Sequence, residues 1–194
     1  MTVSGRWDGA SQLAPGHKWD FFPSAALAWK IDQESFLQDV SWLDQLKLRL
    51  GVGVTGNSGI AAYATKGAVA NNFYHWGEIV APGMVASDPS AREPVVMANP
   101  ALGWEKTAQY NLGIDFSILK GRIDGSVDFY KSKTSDLLLT KSLPSLTGYL
   151  RTWDNVGKTE NKGVDIAINS LNVKTNDFRW SSTFTFSADR SKIT

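Results

Sequence analysis

The chain has 194 residues, with 20 Lys and Arg against 19 Asp and Glu, a formal net charge of +1. That near balance excludes a nucleic-acid binder held by a broad basic field, and the absence of cysteine excludes disulfide frameworks, cysteine zinc sites and thiol nucleophiles. A mean hydropathy of -0.21 with no long apolar run leaves no candidate membrane-spanning helix, and Met1 to Asp8 lack the basic start and apolar stretch of a secretory signal.

Aromatics supply 11% of the residues, including 8 Trp, yet apolar residues rarely run together, which is what alternating strands produce. A short strand opens the chain at Thr2 to Trp7. Phe21, Ala25, Leu27, Trp29 and Ile31 share one face of a second strand, and Leu46, Leu48, Leu50, Val52 and Val54 one face of a third. Between them, Phe36, Leu37 and Val40 stand at helical spacing with Asp32 placed to cap, which predicts one or two helical turns within Asp32 to Leu43. The segment from about 56 to 103 shows no defensible period.

The clearest alternation runs from Trp104 to Ile118. Trp104, Lys106, Ala108, Tyr110, Leu112, Ile114, Phe116 and Ile118 fall on one face, and Glu105, Thr107, Gln109, Asn111, Gly113, Asp115 and Ser117 on the other. A helical period would smear both sets around the axis, so this is a strand of about 15 residues, far beyond the usual mode of roughly 5–6. A tight turn at Leu119-Lys120-Gly121-Arg122 leads into a strand with Ile123, Gly125, Val127 and Phe129 against Asp124, Ser126, Asp128 and Tyr130. Val164, Ile166 and Ile168 mark a sixth strand. Phe178, Trp180, Phe184 and Phe186 mark a seventh, with Ser182 as the polar exception and a link at Leu171 to Asp177.

Links after the second, fourth and sixth strands (31–44, 119–122, 170–177) are mostly short, whereas those after the first, third and fifth (8–20, 56–103, 139–154) are mostly longer. In an antiparallel meander alternate links emerge at one end, so turns gather at one end and large loops at the other; long loops in a compact domain point to function. Unusually long strands, segregated loops and aromatics near strand ends together favour a closed membrane barrel over a soluble sandwich or barrel.

Several segments resemble barrel strands of the SusC/RagA-type TonB-dependent transporters. They are Ala14 to Trp29, Leu46 to Asn57, Asn99 to Phe116, Asp128 to Leu138 and Asn155 to Asp165, in family order along nearly the whole chain, with 58–98 the divergent loop. The resemblance implies an all-β fold: an antiparallel meander of about seven long strands, part of a large transmembrane β-barrel, with long loops at one end. It further implies that residues 1–194 are a partial barrel domain without plug or signal peptide, from an outer-membrane importer of glycan oligosaccharides or peptides in Bacteroidetes-type bacteria. The implied partners are outer-membrane lipid, a SusD-like lipoprotein and TonB, with no nucleic acid and no cofactor. The alternative is a soluble β-domain binding carbohydrate without transport, and an enzyme ranks third.

No chemical motif competes strongly. Gly51-Val-Gly-Val-Thr-Gly56 matches a dinucleotide glycine pattern, but lies inside a strand's alternation and is not followed by a helix signal. His17 and His75 stand in separate loops, and Ser58 lacks a nucleophile-elbow context. Asp124 and Asp128 lie on one strand face, with Asp115 placed to come near across the hairpin, and they fit a hydrated wall better than an acid–base pair. Sugars present flat apolar faces ringed by hydroxyls, so Phe73, Tyr74, His75 and Trp76 are candidate substrate contacts, with Tyr149, Arg151 and Trp153 at the same loop end and Trp104 nearby. No catalytic or metal residue is assigned.

Overall fold

A computed structural model describes all residues except 38–39, 68, 87–95 and 148. In chain order the strands are β1 (Thr2–Gly9), β2 (Trp19–Lys30), β3 (Leu43–Asn57), β4 (Val69–Trp76), β5 (Ile79–Ala86) and β6 (Val96–Met97). They continue with β7 (Glu105–Ile118), β8 (Ile123–Ser135), β9 (Leu138–Ser142), β10 (Arg151–Asn155), β11 (Lys158–Lys174) and β12 (Arg179–Ile193). Seven of them form one antiparallel sheet in the order β1-β2-β3-β7-β8-β11-β12, the expected meander.

Register converts each strand's alternation into a continuous surface. Directly paired residues share a face, so Trp29, Leu48, Ile114, Val127, Ile166 and Phe186 form one apolar row across six strands. The adjoining row is Leu27, Leu50, Leu112, Phe129, Val164 and Ala188. Among the described residues no second layer covers these rows: Leu27, Trp29, Leu50, Phe129 and Phe186 are all exposed. The total accessible area, 13302 Å², far exceeds the roughly 9,100 Å² of a compact monomer of this mass. A self-contained sandwich would have buried this face.

Along β7 the apolar set from Ile118 to Tyr110 covers eight residue steps, about 27 Å of strand at roughly 3.4 Å each. At a barrel tilt of about 40° that is about 21 Å along the membrane normal, close to the apolar band of roughly 25 Å on outer-membrane barrels.

The structure corrects several boundaries. The helical turns expected within Asp32 to Leu43 reduce to a single 3-10 turn at Ile31–Gln33 followed by tight turns, with no α-helix among the described residues, which exclude 38–39. Asp32 caps no helix, because its carboxylate accepts the Leu46 backbone N–H at 3.1 Å and ties the connection onto β3. The link expected at Leu171 to Asp177 shrinks, since β11 runs on to Lys174 through a bulge at Asn172. The bulge returns Val173 to the apolar side, opposite Trp180, and places the Asn172 amide to donate to the Ser182 hydroxyl at 2.7 Å. Ser182 is thus polar because it latches the bulge. β12 also extends to Ile193, past the Phe186 at which apolar alternation stops.

The four-residue turn after β7 takes positive φ at Leu119, Lys120 and Gly121. Asp44 holds this strained turn by accepting the Gly121 N–H at 2.9 Å. The stretch without legible period contains the β4–β5 hairpin, closed by Gly77 at φ 63°, and β6. β6 joins β10 and β9 in a three-stranded sheet above the long-loop end.

Candidate functional site

The packed core of this chain lies among the loops. Ala14, Leu102 and Leu138 form its centre, with Ile60 and Trp153 against them, and Leu13 and Leu102 are the largest fully buried side chains. These residues come from three of the long connections, so the core is what gives the loop end a defined shape. Asn155 fastens it: its side chain accepts the Gly103 N–H at 2.7 Å and donates to the Gly103 and Asp136 carbonyls at 3.1 and 2.9 Å. Asn99 donates to the Trp153 carbonyl at 2.8 Å, and the Trp104 indole donates to the Lys18 carbonyl at 3.1 Å while packing edge-on against buried Phe22.

Between loop 11–18 and loop 62–66 lies a cavity of about 320 Å³, lined by Gln12, Lys18, Tyr63, Thr65 and Lys66 among others. Gln12 is held by donating to the Ser58 carbonyl at 2.9 Å, and Thr65 donates to the Gln12 carbonyl at 3.4 Å. Exposed Tyr63 has a φ of 65°, an uncommon value for a bulky residue. An aromatic ring beside an amide, a hydroxyl and two ammonium groups can stack on a flat apolar face and hydrogen-bond to hydroxyls or carboxylates. None of these lining residues stood out in sequence, since they sit in Gly/Ala-rich loops without period; only the lone Tyr63 among small residues was a signal.

The aromatic candidates divide. Phe73, Tyr74, His75 and Trp76 lie on β4, in a hairpin that pairs with neither other sheet. Alternation puts Phe73 and His75 on one face of β4 and Trp76 on the other, so these three do not form one platform, and the Tyr74 side chain lies outside the described residues. Phe73, His75 and Trp76 are exposed. Arg151 and Trp153 lie on β10, Tyr149 just before it, and Trp153 packs on the loop core. Trp104 is engaged with Phe22 and Lys18.

The polar face of the large sheet is a wall of hydrogen-bonded side chains. Arg49, Gly113, Asp128, Asp165 and Ser187 form one row. With no side chain on Gly113, the Arg49 guanidinium lies across it and bridges two carboxylates, donating to Asp115 at 2.8 and 2.7 Å and to Asp128 at 2.8 Å. Asp124 accepts from the Asn169 amide at 3.0 Å, and Asp165 from the Ser187 hydroxyl at 2.5 Å. The three aspartates singled out in sequence are therefore paired with wall residues. The Gly51 to Gly56 pattern lies wholly within β3, with no helix to receive a phosphate.

A family model described as "TonB dependent receptor-like, beta-barrel" matches residues 1–194. The chain belongs to this family. It is 39% identical over 200 residues to the TonB-dependent receptor SusC of Bacteroides thetaiotaomicron, and 37% over 193 residues to a TonB-dependent receptor of Formosa agariphila. Each match covers 100% of this chain and 19% of the relative, so the chain spans about a fifth of the curated relatives' length. Among solved structures, the RagAB peptide importer in its open-open state aligns with a TM-score of 0.85 at 30% identity, covering 99% of this chain and 20% of that one. The RagAB peptide transporter aligns at 0.83. Membership makes the chain part of an outer-membrane β-barrel and not an enzyme. In such a barrel the uncovered apolar rows fit a lipid-facing side and the hydrogen-bonded Arg49 face fits a lumen wall.

Proposed function

We propose that residues 1–194 are a wall-and-loop segment of a TonB-dependent outer-membrane transporter that imports glycan oligosaccharides or peptides. A SusD-like lipoprotein works as its outer partner and TonB supplies the drive. The observation that carries this reading is the two-faced seven-stranded sheet: an apolar face left open on one side and a hydrogen-bonded polar wall on the other. β1 and β12 each pair with a single strand, so the sheet offers two edges for further strands of a larger barrel. Its part in transport is to shape the passage, while the loop core and the Tyr63 cavity present contacts at the outer mouth. Phe73, His75, Trp76, Tyr149 and Arg151 belong to this mouth as candidate substrate contacts, with Tyr74 beside them in sequence. The likeness to the RagAB peptide importer supports peptides, and the family resemblance of the sequence allows glycan oligosaccharides as well.

The test uses the intact protein in its own bacterium. Removing its gene should abolish growth on one class of oligosaccharide or peptide, and the complementing copy should restore both growth and uptake of the labelled compound. Unchanged uptake of every glycan and peptide class in the deletion strain, with the protein present in the wild-type outer membrane, would refute the importer.

A further inference from the structure

The lipid-facing side of the sheet carries an unusual charge cluster directly beside its apolar rows. Pairing puts Tyr110, Lys131, Lys162 and Arg190 in one row on β7, β8, β11 and β12, next to the row holding Leu112, Phe129, Val164 and Ala188. The following row brings Lys133, Glu160 and Lys192 together. Directly opposed strand residues have Cα atoms roughly 4.5–5.5 Å apart, so Lys131, Lys162 and Arg190 crowd three cations into about 10 Å, an arrangement that repels itself.

Glu160 offsets part of that repulsion, lying 3.2 Å from the Lys131 ammonium, 3.6 Å from Lys192 and 3.9 Å from Lys133. Lys162 and Arg190 have no ion pair among the described residues. The five cations and one carboxylate leave a local charge of +4 on a chain whose total is +1. These rows lie on the loop side of the apolar band, and long loops mark the external end of such barrels, so the cluster stands at the level of the outer-leaflet headgroups. Beside it, Leu27, Leu50, Val52, Leu112 and Phe129 line an apolar groove of about 570 Å³ that ends at Lys131.

We propose that this groove and cluster bind a phosphorylated glycolipid of the outer leaflet, an acyl chain lying in the groove and phosphate meeting Lys131, Lys162 and Arg190. The proposal rests on the reading of this face as lipid-facing. Anionic phosphate relieves the mutual repulsion of the three cations, and the groove leads from the cationic row into the apolar band, as the geometry of a phosphate-headed amphiphile requires. Occupancy would fasten β8, β11 and β12 from outside without touching the lumen.

The test compares the intact transporter with its K131Q/K162Q/R190Q variant in bilayer nanodiscs containing lipid A, chemically dephosphorylated lipid A, or phosphatidylcholine alone. Native mass spectrometry reads retained lipid, and heat-modifiable migration reads the barrel. At about a factor of five per surface cation, the wild type should retain lipid A about a hundredfold better than the variant does. It should also prefer lipid A to the dephosphorylated form. Equal retention by both proteins, or of both lipids, with the barrel heat-modifiable, would overturn the glycolipid site. A wild type that needs no bilayer and shows no heat-modifiable migration would instead overturn the lipid-facing reading beneath it.

Discussion

Arg49 offers the sharpest test of the lumen wall. Replacing it with Met keeps the length of the side chain but strips three charge-assisted hydrogen bonds from Asp115 and Asp128. The side chains concerned are between 26% and 37% exposed, so each ion pair counts as a surface pair of at most about 1 kcal/mol. The two carboxylate oxygens that now share one Arg49 nitrogen, at 2.7 and 2.8 Å, are no more than about 5.5 Å apart. Without the guanidinium their repulsion adds about 1 kcal/mol at an effective dielectric near 60. The expected loss is therefore about 2–3 kcal/mol, read as a lower urea midpoint for loss of heat-modifiable migration by the intact protein in lipid. The R49M/D115N/D128N variant removes the repulsion and should recover that part, about a third to a half of the loss. An R49M protein as stable as the parent, or a triple variant no better than R49M, would refute the bridging role.

Three further outcomes follow from the same surfaces. Ile114→Arg puts a cation in the middle of the apolar rows and should cost about 2–4 kcal/mol of barrel stability, whereas Asn111→Arg, on the lumen face of the same strand, should cost well under 1 kcal/mol; refolding into vesicles measures both. Asn155→Ala removes three links between the loops at 103, 136 and 155 and should cost about 1–3 kcal/mol locally, seen as faster proteolysis of those loops with unchanged strand protection. A F73A/W76A protein should lose substrate affinity by about tenfold in equilibrium binding without a change in urea midpoint, because both side chains are exposed on a separate hairpin.

The chain order of the seven wall strands, the faces of β7, β8 and β12, and the segregation of loops to one end were all legible before any coordinates. Period-two alternation is a local property and survives whatever the strand pairs with. The hairpin β4–β5 was not legible, because its residues do not alternate cleanly in polarity; Gly77 between Trp76 and Ile79 was the available sign. The connection after β2 shows the reverse case. Three apolar residues at helical spacing built no α-helix among the described residues, and only the 3-10 turn at Ile31–Gln33 formed where the Asp32 carboxylate found a backbone donor on β3.

The sequence by itself determined which side chains share a face, since a strand's geometry turns every second residue the same way. Only the tertiary structure decided which strand meets which and in what register, and with it every contact that crosses strands. Arg49 finds Asp128 across Gly113, Asn172 finds Ser182, and Lys162 is set between Lys131 and Arg190. Those partners are separated by up to 79 positions along the chain, and a shift of one residue in pairing would turn each to the opposite side of the sheet.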